Sequence, residues 1–164
     1  MVITFRPLLK EDYELFAHWL EQPHVSKWWR EPATVEFVEK EYGPSDKKTD
    51  VYIIEGDSKP IGIIQSYRIE DYPEHFEKIR IKKAIGIDLL IGLSNLTGKG
   101  YGTQLLESFI NTMIRKKYSN ANYVIADPEI ANIASVRAFE KAGFKKGDIV
   151  RGDHGPEQLM IFQL

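Results

Sequence analysis

Between residues 85 and 117 the chain passes from a nearly continuous aliphatic run, 85–93, through the turn Thr97-Gly98-Lys99-Gly100-Tyr101-Gly102-Thr103, into a segment of regularly spaced apolar residues. The aliphatic run reads as a central strand buried on both faces. Beyond the turn, Leu105, Leu106, Phe109, Ile110, Met113 and Ile114 recur at helical spacing, which predicts an amphipathic helix over 103–117. A strand that ends in a glycine turn and feeds a helix brings backbone N–H groups and the positive end of the helix dipole to one spot, which suits an anion. The glycines remove Cβ atoms that would block a phosphate, and Lys99 or Lys141 can add positive charge, although a plain glycine-rich turn has this composition too. Neither the P-loop pattern nor an N-terminal G-x-G-x-x-G unit occurs.

The rest of the chain must complete a fold around that junction. At 164 residues and 43% hydrophobic content it is sized for one domain, spanning 1–164. Residues 2–5 predict a short strand, Leu15, Phe16, Trp19 and Leu20 one face of a helix that stops before Pro23, and Thr34 the cap of a second helix ending at Gly43-Pro44. A hairpin is expected from residues 51–55 and 61–69 around a turn at 56–60. A polar stretch, 70–83, then interrupts. Residues 123–126 predict a strand, Asn132 caps a helix ending at Gly143, and 144–150 with 158–163 predict two closing strands. The order is β-α-α-β-β-β-α-β-α-β-β.

Composition removes several chemistries. With no cysteine there is no disulfide, thiolate metal site or thiol nucleophile. A net charge of −2 offers no global field for nucleic acid or an anionic membrane, and the charged N-terminal segment fits neither a signal peptide nor a transmembrane helix, so the cytoplasm is expected. His18, His24, His75 and His154 lack metal-ligand spacing, and no metal is assigned. Asp88 is the one charged residue in the central strand, open to a catalytic role or to a satisfied strand irregularity.

Two motifs resemble the GNAT acyltransferases. Thr97-x-x-Gly100-x-Gly102 is similar to that family's Q/R-x-x-G-x-G/A, with Thr97 departing at the first position, and Asn132-x-x-Ala-x-x-x-Phe139-Glu140-Lys141-x-Gly143-Phe144 resembles its second signature. The resemblance implies an α/β (α+β) fold: a mixed, mostly antiparallel twisted sheet flanked by helices, with a splayed central strand pair that binds acetyl-CoA. It further implies that Thr97, Gly98, Lys99, Gly100, Tyr101, Gly102 and Thr103 hold the coenzyme pyrophosphate, that Leu90, Ile91 and Leu93 pair with pantetheine, and that Asn132 and Lys141 contact the coenzyme. As a plain alternative, Asn132 is a helix N-cap.

A closer resemblance, to aminoglycoside 6′-N-acetyltransferases, is carried by His24-Val25-Ser26-Lys27-Trp28-Trp29, Gly86-Ile87-Asp88-x-Leu90, Gly98-Lys99-Gly100-x-Gly102-Thr103 and Asp127-Pro128 with Asn132. By that match Asp88 is the base or amine-orienting carboxylate and Asp127 helps bind the drug. An alkylammonium of pKa about 10.4 is neutral in less than roughly one part in a thousand at pH 7, so transfer needs a group that takes its proton. The acidic, aromatic stretch from Glu70 and Asp71 to Glu77 suits a polycation as a substrate wall, or is a solvated loop; Trp29 is expected in the cleft. Phe139 stands where some members have Tyr, so the leaving thiolate's acid falls to water or another tyrosine such as Tyr101. The resemblance implies an enzyme that transfers acetyl from acetyl-CoA to a small, polycationic amine, the 6′-amine of an aminoglycoside antibiotic, as a monomer or homodimer; the rivals are a siderophore- or lysine-type acyltransferase and a non-catalytic acyl-CoA sensor.

Overall fold

The computed structural model describes residues 1–44 and 48–164. Its strands are β1 (Ile3–Pro7), β2 (Thr49–Gly56), β3 (Lys59–Arg68), β4 (Ala84–Ile91), β5 (Tyr123–Ala126), β6 (Lys145–Gly152) and β7 (Gly155–Gln163), in the order β1-β2-β3-β4-β5-β7-β6. Its helices are α1 (Tyr13–Glu21), α2 (Pro23–Ser26), α3 (Val35–Tyr42), α4 (Pro73–Ile79), α5 (Tyr101–Phe109), α6 (Arg115–Lys117) and α7 (Ile133–Lys141). The pairs β1–β2, β5–β7 and β6–β7 are antiparallel, while β4–β5 is parallel, giving the mixed, mostly antiparallel sheet expected. Two compact units divide the chain: Met1–Gln65 with Leu89–Thr97, and Ser66–Asp88 with Gly98–Leu164.

In the first unit, Phe16, Ala17, Trp19 and Leu20 of α1 pack with Val25, Val38, Ile53, Ile63 and Leu90. Thr34 caps α3, its Oγ1 accepting from the Phe37 N–H at 3.2 Å. The β2–β3 turn is tighter than its composition suggests, because Asp57 and Ser58 both take left-handed φ values of 49° and 64°, as a two-residue hairpin turn requires. Buried Asp12 receives two hydrogen bonds from Arg6, at 2.7 and 2.8 Å, and Arg6 Nε also reaches Glu55 at 3.0 Å. These bonds hold the Asp12 carboxyl below its usual range. They staple β1, the turn before α1 and β2. The short helix α2, which starts on Pro23, was not expected; it carries His24.

In the second unit the long amphipathic segment is helical from Tyr101 to Lys117, but Ile110–Ile114 is a π-helical turn. The apolar residues account for this widening. Phe109 and Met113, and likewise Leu106, Ile110 and Ile114, are four apart, whereas an α-helix turns in 3.6 residues, so a wider turn keeps Ile110 and Ile114 on the buried face. Pro73 begins α4, and Arg80 ends it at a left-handed φ of 57°, so the polar stretch expected to be irregular holds a helix. The closing strands are longer than predicted, since β7 begins at Gly155. They are offset by a bulge between Lys146 and Ile149, where buried Gln158 donates from Nε2 to the Gly147 carbonyl at 2.8 Å.

Candidate active site

Alternate residues of a strand share a face, so Gly86 and Asp88 of β4 point the same way. That face is covered by Tyr67 of β3. A Cβ on Gly86 would lie 2.4 and 2.5 Å from the Tyr67 Cε2 and Cζ atoms, which means the ring rests on the glycine. From there the Tyr67 hydroxyl donates to the Asp88 carboxylate. Burial, then the charges of Asp88 and Asp127, push the phenol well above its ordinary range, so it stays a neutral donor. The rings of Tyr72 and His75 flank it, with centroids 5.3 and 5.8 Å away.

The parallel ladder of β4 and β5 runs from Ala84↔Tyr123 to Gly86↔Ile125, and just beyond it Asp88 and Asp127 both act on Tyr67 and His75. Asp127 accepts from His75 Nε2 at 3.0 Å and from Lys78 Nζ at 3.2 Å. His75 and Lys78 are three apart and so lie on one side of α4. Lys78 Nζ also donates to Glu157 of β7. The hydrogen bond to Asp127 raises the His75 pKa against an opposing effect of burial. For Asp127 itself burial acts upward but is outweighed by His75 and Lys78, leaving its carboxyl below the usual value. Burial lifts Glu157 above the usual carboxylate range despite Lys78.

The glycine loop lies in the same unit. Gly98 and Gly100 have φ values of +71° and +82°, and a Cβ on either would meet nothing within 4 Å. Their glycines therefore meet a conformational need and leave open space at the backbone. Gly100 is the N-cap of α5, so no N-cap side chain takes up the first-turn N–H groups of that helix. Those features fit a pyrophosphate. Gly102 is the second residue of α5, and Thr103 Oγ1 ties that helix to the Ala138 carbonyl of α7 at 3.4 Å. Asn132 Oδ1 caps α7 by accepting from the Ser135 N–H at 3.2 Å. Lys99 and Lys141 are exposed and Tyr101 is half-buried.

In the first unit, the end of β4 is fixed from several sides. His24 Nε2 bonds the Ile91 carbonyl at 3.0 Å, Gly92 N–H donates to Ile61 at 2.9 Å, and a Cβ on Gly92 would strike the Trp19 ring at 2.3 Å. Leu90 is buried, Ile91 half-buried and Leu93 exposed. Thr97 Oγ1 donates to the Ser94 carbonyl at 2.8 Å, and Trp29 packs half-buried on the unit's core.

Of the acceptor-side residues named from sequence, Asp88 and Asp127 both act on Tyr67 and His75. Glu70 instead accepts from the Lys83 N–H at 3.4 Å, with Asp71 beside it on the same short turn. Phe139 is core, edge-on to Phe144 at 5.0 Å. Among the described residues no acidic or histidine group has the arrangement to hold a metal, and no helix is long and apolar enough to cross a membrane. Sequence reasoning missed Tyr67, Lys78, Glu157 and the role of His75. Pro73 followed by Glu74, with Lys78 in the last turn, was a usable helix signal that would have put His75 and Lys78 on one face.

The family model for the acetyltransferase (GNAT) domain matches residues 9–151. An aminoglycoside N(6′)-acetyltransferase type 1 of Klebsiella pneumoniae is 27% identical over 97% of this chain and 82% of its own length, and one from Serratia marcescens matches equally. A solved aminoglycoside acetyltransferase in complex with coenzyme A and kanamycin superimposes with a TM-score of 0.84 at 26% identity, covering 99% of this chain and 95% of the other. A structure from Bacillus halodurans shares the fold, with a TM-score of 0.85 at 20% identity over 98% of this chain and 83% of its own.

Proposed function

The chain belongs to the acetyltransferase (GNAT) family, and we propose that it acetylates the 6′-amine of aminoglycosides directly from acetyl-CoA, as one cytoplasmic domain over residues 1–164. Asp88, held by Tyr67 on the Gly86 face of β4, is the observation that carries this. Kanamycin in a related structure and the aminoglycoside relatives support the substrate class. The family match runs through both units and supports their acting as one domain.

Acetyl-CoA supplies a thioester whose carbonyl carbon the amine attacks. The open backbone at Gly98 and Gly100 and the uncapped start of α5, with Lys99, Tyr101, Gly102 and Thr103, bind its pyrophosphate. Leu90, Ile91 and Leu93 offer β4 backbone to its pantetheine arm. Asn132, whose Oδ1 is engaged as a cap, contributes its amide nitrogen, and Thr97 and Lys141 complete the coenzyme contacts. On the acceptor side Asp88 orients the ammonium and takes the proton that the amine loses, directly or through water. Tyr67 fixes the carboxylate that does this. Trp29, Glu70, Asp71 and Asp127 serve the acceptor side, Asp127 with its own charge already answered by His75 and Lys78. Phe139 has no proton to give, so the thiolate is protonated by water or by Tyr101.

The test is thiol release with drugs that differ only in a 6′-amine or 6′-hydroxyl, run on wild type and Asp88→Asn. The amine should be turned over and the hydroxyl not, and the amide should lower kcat about 10²-fold with acetyl-CoA affinity retained. Turnover of lysine or a hydroxamate precursor instead would overturn the aminoglycoside assignment. No thiol release with any amine would leave an acyl-CoA sensor.

A further inference from the structure

Three carboxylates, Asp88, Asp127 and Glu157, act on one group of side chains in the second unit, but they are not alike. Asp127 and Glu157 converge on a single ammonium, Lys78 Nζ, at 3.2 Å from the first and hydrogen-bonded to the second. Their side chains are only 14% and 19% exposed, and Lys78 is 28% exposed. His75 adds a second donor to Asp127. Asp88 accepts from a neutral donor, the Tyr67 hydroxyl, and its charge also acts on His75. Two carboxylates around one ammonium form the seat that a drug's second or third amine would seek. Here the chain fills that seat itself.

We propose that Lys78 is a specificity-determining residue, an internal stand-in for a substrate ammonium, so that the acceptor is recognised through the one amine facing Asp88 and gains little from its further charges. The inference rests on the aminoglycoside assignment and narrows it. An incoming ammonium must displace a tethered one whose effective concentration is on the order of millimolar or more, because α4 holds it in place. Asp127 and Glu157 outweigh the opposing effect of burial and raise the Lys78 pKa, so the stand-in remains charged across the working range. Exchange of one ammonium for another adds no charge pair, and the extra amines of a polycation find a seat already neutralised.

Lys78→Met, which keeps the stem and removes the charge, tests this. The ratio of KM for an amino sugar with one amine to KM for kanamycin should rise about tenfold, the scale of one hydrogen bond to a charged group, and kanamycin KM should become steeper in salt. Glu157→Gln on an intact Lys78 should move the ratio less than about twofold, whereas a drug that used Glu157 would lose about tenfold. An unmoved or falling ratio in Lys78→Met, or a tenfold loss in Glu157→Gln, overturns the proposal while kanamycin turnover keeps the functional assignment. If Lys78→Met does not fold, Glu157→Gln decides. If kanamycin is not turned over at all, the assignment fails, and calorimetry decides the inference: kanamycin binding tighter to Lys78→Met than to wild type sustains it, and equal or weaker binding refutes it.

Discussion

Gly86→Ala adds one methyl group where the Tyr67 ring rests on β4. Gly86 lies in ordinary strand conformation rather than at a positive φ, so alanine suits its backbone, and in an open strand the change would gain about 0.5–1 kcal/mol. Tyr67 reverses the sign. The new carbon would sit 2.4, 2.5 and 2.9 Å from the ring Cε2, Cζ and hydroxyl, all inside contact distance, and Tyr67 is only 8% exposed. Overpacking of this kind costs about 1–3 kcal/mol, or roughly 2–4 °C in Tm per kcal/mol for a chain of this size. Moving the ring also takes the hydroxyl from Asp88. A hydrogen bond to a charged group is worth about 1.5–3 kcal/mol, so kcat should fall about 10- to 100-fold. The Tyr67→Leu background removes the clash, and Gly86→Ala should there be neutral or slightly stabilising. Urea unfolding of the four proteins would then give a coupling of about 1.5 kcal/mol or more. Equal cost of Gly86→Ala in both backgrounds would refute the claim that this glycine exists to seat Tyr67.

Gly100→Ala places a side chain at φ +82°, which costs about 1–2 kcal/mol even though the space is open, and calorimetry with coenzyme A should show affinity about tenfold weaker in a folded protein. The His75–Asp127 pair should confine its contribution to a pH window. His75, raised above 6.5, stabilises fully below that value and loses its effect as pH rises through its folded pKa; Asp127, lowered below 3.8, stabilises above that value and loses its effect as pH falls through its folded pKa. The stability difference between wild type and His75→Gln should therefore shrink as pH is raised past about 6.5, and a difference that grows would exclude the charged pair.

How much of this was legible in the sequence depends on whether each feature is local. The glycine loop and its helix were, because φ values of +71° and +82° at Gly98 and Gly100 are demands of the backbone on single residues, and the cap at Asn132 closes within three residues. The π turn was half legible: the four-residue spacing is written in the chain, but only the buried face makes it matter. Asp88 and Asp127 were named by the resemblance, but the cluster that surrounds them was not legible. Its bonds join residues 52 apart, His75 with Asp127, and 79 apart, Lys78 with Glu157, and no periodicity links such positions. The Gly86-Ile87-Asp88 motif shows the same limit from the other side, since a glycine two residues before an aspartate is visible while the tyrosine that explains it stands on another strand. Charge is where the linear view misleads most. A run of carboxylates before a run of lysines suggests an acidic wall, yet once α4 forms, Lys78 from that basic run pairs with Asp127 and Glu157, and Glu70 turns to a backbone N–H. The field a substrate meets is set by the carboxylates left over after such pairing, and at Asp88 the Tyr67 phenol donates a hydrogen bond without cancelling the charge.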